Sequence, residues 1–219
     1  DFGSSLHAAF AITAALRKVD RGGGGDHIDV PMMGATLGMA ALQTHAYFGS
    51  GENPGRMGSA HHRNAPYQAF KAKDGYFAMA AGNDKLWRGV CDIVERPDLP
   101  DDPRFITVPN RSDNQVDLCD ILEVEFARFT KQELLDRLAE KGVPSAPINS
   151  YSEALADPQS VHMGWVEDID LPGGGTSKTV IAPIQLSGEK IGVRRPPPLL
   201  GEHNDEVIAE LDQNRDAAD

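Results

Sequence analysis

Two histidines and the cationic and amide side chains that follow them form a group that could bind a ligand. His61, His62, Arg63 and Asn64 end a stretch rich in Gly, Asn, Pro and Ser, residues 49–64, whose composition is typical of a loop. Adjacent histidines point in different directions on most backbones, and no further Asp, Glu or His follows at the spacing of metal ligands. The pattern therefore favours a solvated or substrate-facing loop and predicts no bound metal.

Two further motifs are interpreted as structural. Cys91 and Cys119 form no C-x-x-C pair, and each lies in an apolar helical pattern, which predicts buried thiols in a reducing compartment such as the cytoplasm. Gly22–Gly25 follow a helical segment and precede a strand-like one. A phosphate-binding loop has the opposite order, so we expect these glycines to end a helix.

The composition excludes two classes of partner. The chain has 219 residues with a formal net charge of −12, and hydrophobic residues make up 40% of it, as in ordinary globular proteins. A surface that binds nucleic acid or anionic lipid needs clustered Lys and Arg, which this sequence does not offer. No apolar run approaches the ~20 residues of a membrane span. We therefore expect neither nucleic acid nor membrane as a partner.

The first 48 residues are predicted to form buried helices. Leu6–Leu16 is apolar nearly all round, which is typical of a helix enclosed on every side. His27–Val30 reads as a short strand, and Met32–Leu42 as a second apolar helix rich in small residues. Because the chain opens with Asp1 already inside a helical pattern, we expect it to be part of a longer polypeptide.

The middle and the end of the chain alternate hairpins with helices. The segments on either side of Asp74-Gly75 predict a β-hairpin whose turn uses the positive φ that this dipeptide supplies. Ser/Thr-x-x-Glu capping boxes predict helices after Thr130 and Ser150. The remaining predicted elements are helices at about Lys85–Glu95, Ser112–Arg128 and Asn204–Leu211, and strands at Val161–Leu171 and Val180–Leu186.

Five groups of residues carry a resemblance that single motifs do not. They are Asp1–Leu16 with the following R-G-G-G-G-D-H-I-D-V, Ala65–Phe70 with Asp74-Gly75, Ala81–Asp84 with Trp87 and Cys91, Asp101–Phe105 with Arg111 and Asn114, and Gly142–Pro147 with Pro198–His203. In this order, over nearly the whole chain, they resemble the class III CoA-transferases, the family of formyl-CoA transferase and carnitine CoA-transferase.

The resemblance implies an α/β fold in two domains. It implies a Rossmann-like large domain, a small α+β domain, and two chains interlocked as a homodimer. On this scheme residues 1–48 are the end of the first pass through the large domain, and 49–64 cross to the small domain. Residues 65–186 form the small α+β domain, and 187–219 return to the large domain with a C-terminal helix. The N-terminal half of the same enzyme, which carries most of the CoA site, is an implied partner.

The resemblance also implies the chemistry. The family's catalytic aspartate matches Asp1, and coenzyme A enters as a substrate, with an acyl-CoA and a small carboxylic acid as partners. An aspartate carboxylate is ionised at neutral pH, so it can attack a thioester carbonyl without a separate base. Formyl-CoA transferases have a mobile glycine-rich loop where this chain has residues 60–64. Because no glycine run occurs here, we expect His61, His62, Arg63 and Asn64 to recognise a different acid.

Two alternatives remain open at this point. The α-methylacyl-CoA racemases share the fold and an Asp-Phe-Gly opening like Asp1–Gly3, but they use acid/base chemistry at the carbon next to the thioester. The motifs at Ala81–Asp84 and Asp101–Phe105 favour the transferase. The second alternative is a non-catalytic binding fragment, which needs only the small domain.

Overall fold

The structure, a computed structural model, describes residues 1–216 and divides into two compact units. The first unit is Asp1–His62, and the second begins at Arg63. Among the described helices none is long and apolar enough to cross a membrane. Helices and strands both contribute, which confirms the predicted α/β class.

The first unit consists of helices. Its elements are α1 (Phe2–Asp20), α2 (Met32–Met39) and α3 (Ala41–Ser50). The first predicted helix is confirmed in position, whereas the second is divided at Ala40 between α2 and α3. Gly22, with a φ of +82°, ends α1 as expected. The strand predicted at His27–Val30 is wrong: this segment has no regular secondary structure and no strand partner in the described chain.

The prediction that these helices are buried is wrong for the chain itself. Among the described residues of the first unit only Ala35 is buried, while Phe2, Phe10 and Phe48 are 89%, 79% and 76% exposed. The physical reason is that too few residues of this unit pack against the apolar helices. An all-round apolar helix must be enclosed on every side, and within this unit α1 packs only against α2, which has eight residues.

The second unit contains all the described strands. These are β1 (Tyr67–Ala72), β2 (Gly75–Ala80), β3 (Ser145–Pro147), β4 (Val166–Asp170), β5 (Thr176–Val180), β6 (Gln185–Leu186) and β7 (Glu189–Lys190). The helices are α4 (Asp84–Ile93), α5 (Val108–Asp113), α6 (Gln115–Phe126), α7 (Lys131–Glu140), α8 (Tyr151–Ala156), α9 (Pro158–Met163) and α10 (Asn204–Asp216). In the described chain every strand pair is antiparallel, in the orders β1-β2-β3, β4-β5 and β6-β7.

The β1–β2 hairpin is confirmed, but its predicted turn geometry is wrong. The turn residues are Lys73 and Asp74, and neither Asp74 nor Gly75 has a positive φ. Tertiary hydrogen bonds hold the turn instead. The Lys73 amide donates to the Phe129 carbonyl at 3.0 Å, and the Asp74 carboxylate accepts from the Lys131 amide at 2.6 Å.

A single core stabilises the second unit. The three-stranded sheet packs against α6 and α7, and α4 packs against α7. At the centre, the Phe126 ring meets Phe70 and Phe77 edge-on, with centroids 5.5 and 5.2 Å apart. The rest of the core comprises mostly aliphatic side chains, among them Val90, Leu99, Leu118, Leu122, Leu134 and Leu138.

Both predicted capping boxes are confirmed. Thr130 accepts from the Glu133 amide while the Glu133 carboxylate accepts from the Thr130 amide, and Ser150 and Glu153 repeat the arrangement. The two helices differ in what they bury. α7 buries Leu134 and Leu138, whereas α8 buries none of its residues.

Candidate functional site

Asp1 lies at the N-terminal end of the longest described helix. Its carbonyl accepts the first helical hydrogen bond, from the Ser5 amide at 2.9 Å, but its side chain makes no capping bond. The Asp1 carboxylate therefore accepts no capping hydrogen bond from the backbone of its own helix. The helix N-terminus carries partial positive charge, which favours an anion there and an oxyanion developing beside it.

Gly3 brings the start of α1 close to α2. A Cβ built on Gly3 would lie 2.5 Å from the Met39 sulfur, closer than any real Cβ contact. The absence of a side chain at Gly3 therefore allows the Met39 side chain to pack two residues from Asp1. This gives the Asp1–Gly3 opening a packing role that is independent of the chemistry of its aspartate.

The segment of four predicted recognition residues crosses the division between the two units. His61 and His62 end the first unit and are half-buried, and the His62 Nδ1 lies 3.4 Å from the Met57 sulfur. Arg63, which is exposed, and Asn64, which is half-buried, open the second unit. The structure thus places Asp1 with the two histidines in one unit, and the arginine and asparagine in the other.

Asn64 packs against the connection that leads into α4. A Cβ built on Gly82 would lie 3.2 Å from the Asn64 Cβ and 3.4 Å from its Cγ, so a side chain at this position would press against Asn64 by a few tenths of an ångström. The next residue, Asn83, caps α4 by accepting from the Leu86 amide at 3.0 Å. Asn64 is therefore brought next to the N-terminus of α4.

A buried arginine holds the backbone beside Asn64. Arg111 is fully buried, and among the side chains that the structure describes it is the one charged group in the buried class. Its Nε donates to the Ala65 carbonyl at 3.0 Å, its Nη1 to the Phe105 carbonyl at 3.0 Å, and its Nη2 to the Asp84 carboxylate at 2.8 Å. The guanidinium carbon also lies 5.7 Å from the centroid of the Trp87 ring.

Sequence reasoning did not assign this role to Arg111. The residue appeared only as part of a family-like motif, because its acceptors are distant along the chain. One local signal was available. Thr107 caps α5 by accepting from the Asn110 amide, and this places Arg111 in the last turn of the short helix, from which its guanidinium reaches the Phe105 carbonyl.

Neither cysteine is suited to act as a nucleophile. Burial raises the pKa of the Cys91 thiol to about 12, with a further contribution from Asp92. Burial and Glu123 raise the pKa of Cys119 to about 11, and the Gln68 amide nitrogen donates to its sulfur at 2.8 Å. Both thiols are protonated at neutral pH, which agrees with their interpretation as structural residues.

One apolar hollow in the second unit is separate from the predicted residues. It has a volume of about 500 Å³ and lies between α8–α9 and β4–β5, where aliphatic and hydroxyl side chains line it together with Lys178. None of the predicted site residues lines it. In the described part of the chain, no group of three or more His, Cys, Asp or Glu side chains is placed to hold a metal ion.

Comparison with known proteins identifies the class. The model of CoA-transferase family III matches residues 1–204, and the chain therefore belongs to this family. It is similar to the succinate–glutarate CoA-transferase of Agrobacterium fabrum, with 34% identity over 97% of this chain and 53% of that protein. It is also similar to the human succinyl-CoA:glutarate CoA-transferase, with 32% identity over 96% of this chain and 48% of that protein.

A solved structure supports the same assignment. A CAIB/BAIF family protein from Brucella suis matches with a TM-score of 0.74 and 35% identity, covering 95% of this chain and 54% of the other. The chain thus spans about half the length of the relatives that it matches. The family resemblance predicted from the sequence motifs is confirmed.

Proposed function

We propose that the protein moves CoA from an acyl-CoA thioester to a free carboxylic acid, with Asp1 as the covalent nucleophile. Membership of CoA-transferase family III over residues 1–204 is the observation that carries this proposal. The geometry of Asp1 supports it, since the carboxylate caps no helix and lies where a helix dipole favours negative charge.

The reaction balances without an added acid, base or metal. The Asp1 carboxylate attacks the thioester carbonyl and expels the CoA thiolate, which leaves a mixed anhydride of Asp1 and the acyl group. The thiolate then attacks the aspartyl carbonyl of the anhydride, which releases the first acid and leaves an aspartyl-CoA thioester. The incoming carboxylate attacks this thioester and displaces the CoA thiolate, which gives a second mixed anhydride. The thiolate then attacks the carbonyl of the incoming acid, which forms the new acyl-CoA and frees Asp1.

We propose dicarboxylic acids as the substrates. The two relatives described above are named for succinate and glutarate, each of which keeps one free carboxylate while the other is bound to CoA. Arg63 suits such a group because a guanidinium can bind a carboxylate with two parallel hydrogen bonds, and Asn64, His61 and His62 can add further donors. These four residues remain proposed binding residues.

The exposed apolar helices support a further polypeptide as partner. Phe2, Phe10 and Phe48 together expose more apolar surface than a stable isolated unit favours, and the relatives are about twice as long as this chain. We propose that the N-terminal half of the same enzyme covers this surface, with residues 1–48 and 187–219 in the large domain. The crossing at 49–64, the small domain at 65–186, the homodimer and the cytoplasmic location stay predictions.

Isotope exchange separates the transferase from a racemase. With the N-terminal half supplied, the protein is incubated in deuterated water with succinyl-CoA and labelled glutarate, and separately with a 2-methylacyl-CoA. We expect labelled glutaryl-CoA to form and no deuterium to enter the carbon next to the thioester. Butyrate, which lacks the second carboxylate, serves as the control acid and should react far more slowly than glutarate.

Two results would contradict the proposal. Rapid deuterium uptake without exchange of the labelled acid would favour the racemase, because inversion requires removal of that proton whereas acyl transfer does not. The absence of both reactions over a panel of acyl-CoA esters would favour a binding protein. Equal rates for butyrate and glutarate would contradict the dicarboxylate specificity alone.

A further inference from the structure

A fully buried arginine, Arg111, is hydrogen-bonded to the residue that follows the recognition segment, residues 61–64. Arg111 reaches three acceptors in three separate parts of the second unit: the Ala65 carbonyl, the Phe105 carbonyl and the Asp84 carboxylate. The acceptors are 46, 6 and 27 residues away along the chain. One guanidinium therefore joins the start of the unit to the Phe105 loop and to the first residue of α4.

A buried charge is costly, so its retention calls for a reason other than stability. Removing a guanidinium from water is energetically unfavourable, and well-packed apolar residues often replace buried ion pairs without loss of stability. Of the Arg111 partners, the Asp84 side chain is still 65% exposed, so the ion pair is only half withdrawn from water. Unlike an apolar residue, the arginine makes hydrogen bonds, and its planar fork fixes the direction of each one.

The residue held by the Arg111 Nε directly follows the recognition residues. Ala65 is 2% exposed, and the adjacent Pro66 carbonyl accepts from the Ala81 amide at 2.8 Å. Asn64 is confined from its other side, where a Cβ on Gly82 would make a tight contact with it. These backbone and side-chain contacts thus lie at or beside Arg63 and Asn64, the two recognition residues that belong to the second unit.

We propose that Arg111 is a positioning residue for the carboxylic acid substrate: it holds the Ala65 backbone so that Arg63 and Asn64 present their donors to the acid. Arg111 itself is buried and does not touch the substrate. Gly82 contributes to the same positioning because it leaves room for the Asn64 side chain. This inference rests on the proposed function, because it assigns a role to residues that recognise the acid in that function.

Kinetics of three variants test the proposal, with the N-terminal half supplied. Arg111→Lys keeps a positive charge but loses the fork that serves three acceptors. Gly82→Ala pushes on Asn64 without touching Arg111. Leu134→Ala is the control, because it opens a cavity in the same core on α7 and weakens folding without contact to the segment.

We expect the Michaelis constant for the free acid to rise about tenfold in Arg111→Lys and in Gly82→Ala, while that for the acyl-CoA changes by less than about twofold. Leu134→Ala should lower the denaturation midpoint and leave both constants unchanged. The proposal is overturned if Leu134→Ala raises the constant for the acid as much as Arg111→Lys does. It is also overturned if Gly82→Ala and Arg111→Lys both leave that constant unchanged.

Amide hydrogen exchange separates this inference from the proposed function. In Arg111→Lys we expect the Asn64 and Ala65 amides to exchange faster than in the unmodified chain, by a larger factor than the amides of α7. Equal acceleration in both places would show a merely structural role and overturn the inference. If the unmodified protein transfers no CoA, the proposed function fails, and the exchange data still decide whether Arg111 holds the segment. If Arg111→Lys does not fold, Asp84→Ala, which removes one acceptor of Arg111 at a side chain that is 65% exposed, replaces it in both measurements.

Discussion

The two units use the same aromatic residue in opposite ways. In the second unit Phe77 and Phe126 are fully buried, whereas in the first Phe2 and Phe10 are 89% and 79% exposed. All four residues lie in apolar stretches of the sequence, and these stretches form the expected helices and strand. Secondary structure therefore follows from the local pattern, but burial depends on whether the chain supplies an opposing face.

The difference also separates two tasks. The second unit has one continuous core formed by a sheet and helices, and it holds the backbone beside Asn64 through Arg111. The first unit presents Asp1 at the start of a helix that packs only against α2 within that unit. On our account the chain contributes a self-supporting recognition unit, together with a catalytic helix that needs further polypeptide to enclose it.

A pair of matched truncations should give the largest difference in stability between the two units. In the isolated chain, Phe126→Ala should lower the free energy of unfolding by about 3–5 kcal/mol, because it empties the centre of the core. Phe10→Ala should change it by less than about 0.5 kcal/mol, because that ring is already exposed. Urea denaturation followed by circular dichroism, which reports on the helices of both units, measures both. A Phe10→Ala loss as large as that of Phe126→Ala would refute the distinction.

A smaller effect is expected from the two capping boxes. Thr130→Ala should cost about 1 kcal/mol of global stability, because α7 buries Leu134 and Leu138 in the core. Ser150→Ala removes the same cap from α8, which buries no residue, so it should fray that helix and leave global unfolding nearly unchanged. Urea denaturation combined with amide exchange distinguishes the two. Equal losses would mean that α8 belongs to the cooperative core.

The smallest effect concerns pH. Hydrogen bonds from the Thr130 amide and hydroxyl hold the pKa of Glu133 below its ordinary value of 4.5. Since the folded pKa lies below the unfolded one, the stabilisation is complete above that ordinary value and is lost as the pH falls through the folded pKa. We expect Glu133→Gln to reduce the slope of stability against pH below pH 4.5, the ordinary pKa of this carboxyl. An unchanged slope would contradict this contribution.

The features that could be predicted from the sequence are local ones. Both capping boxes are formed as predicted, since the partners lie three residues apart. The β1–β2 hairpin was also predictable, but its turn was not, because the Lys73 and Asp74 bonds reach to the α6–α7 connection. The strand at His27–Val30 fails for the same reason, since a strand needs a partner that the local pattern does not reveal.

The candidate site could be predicted only in part. Asp1 and residues 61–64 came from a family resemblance, and their roles stay predictions. The hydrogen bonds of Arg111 to Ala65 and Asp84 span 46 and 27 residues, and no periodicity or motif indicates such a pairing. Long-range polar contacts of this kind become visible only in the folded chain.

The central claim is that Asp1 is the nucleophile of a CoA transfer. The direct measurement is chemical trapping: the protein, with its N-terminal half supplied, is incubated with succinyl-CoA and hydroxylamine, and its peptides are analysed by mass spectrometry. The account predicts a hydroxamate on Asp1 and on no other carboxylate. It also predicts that Asp1→Asn slows transfer by at least about a thousandfold, whereas Asp26→Asn, a change at another aspartate of the same unit, does not. A hydroxamate on a different residue, or an Asp1→Asn protein that retains most of its activity, would contradict the account.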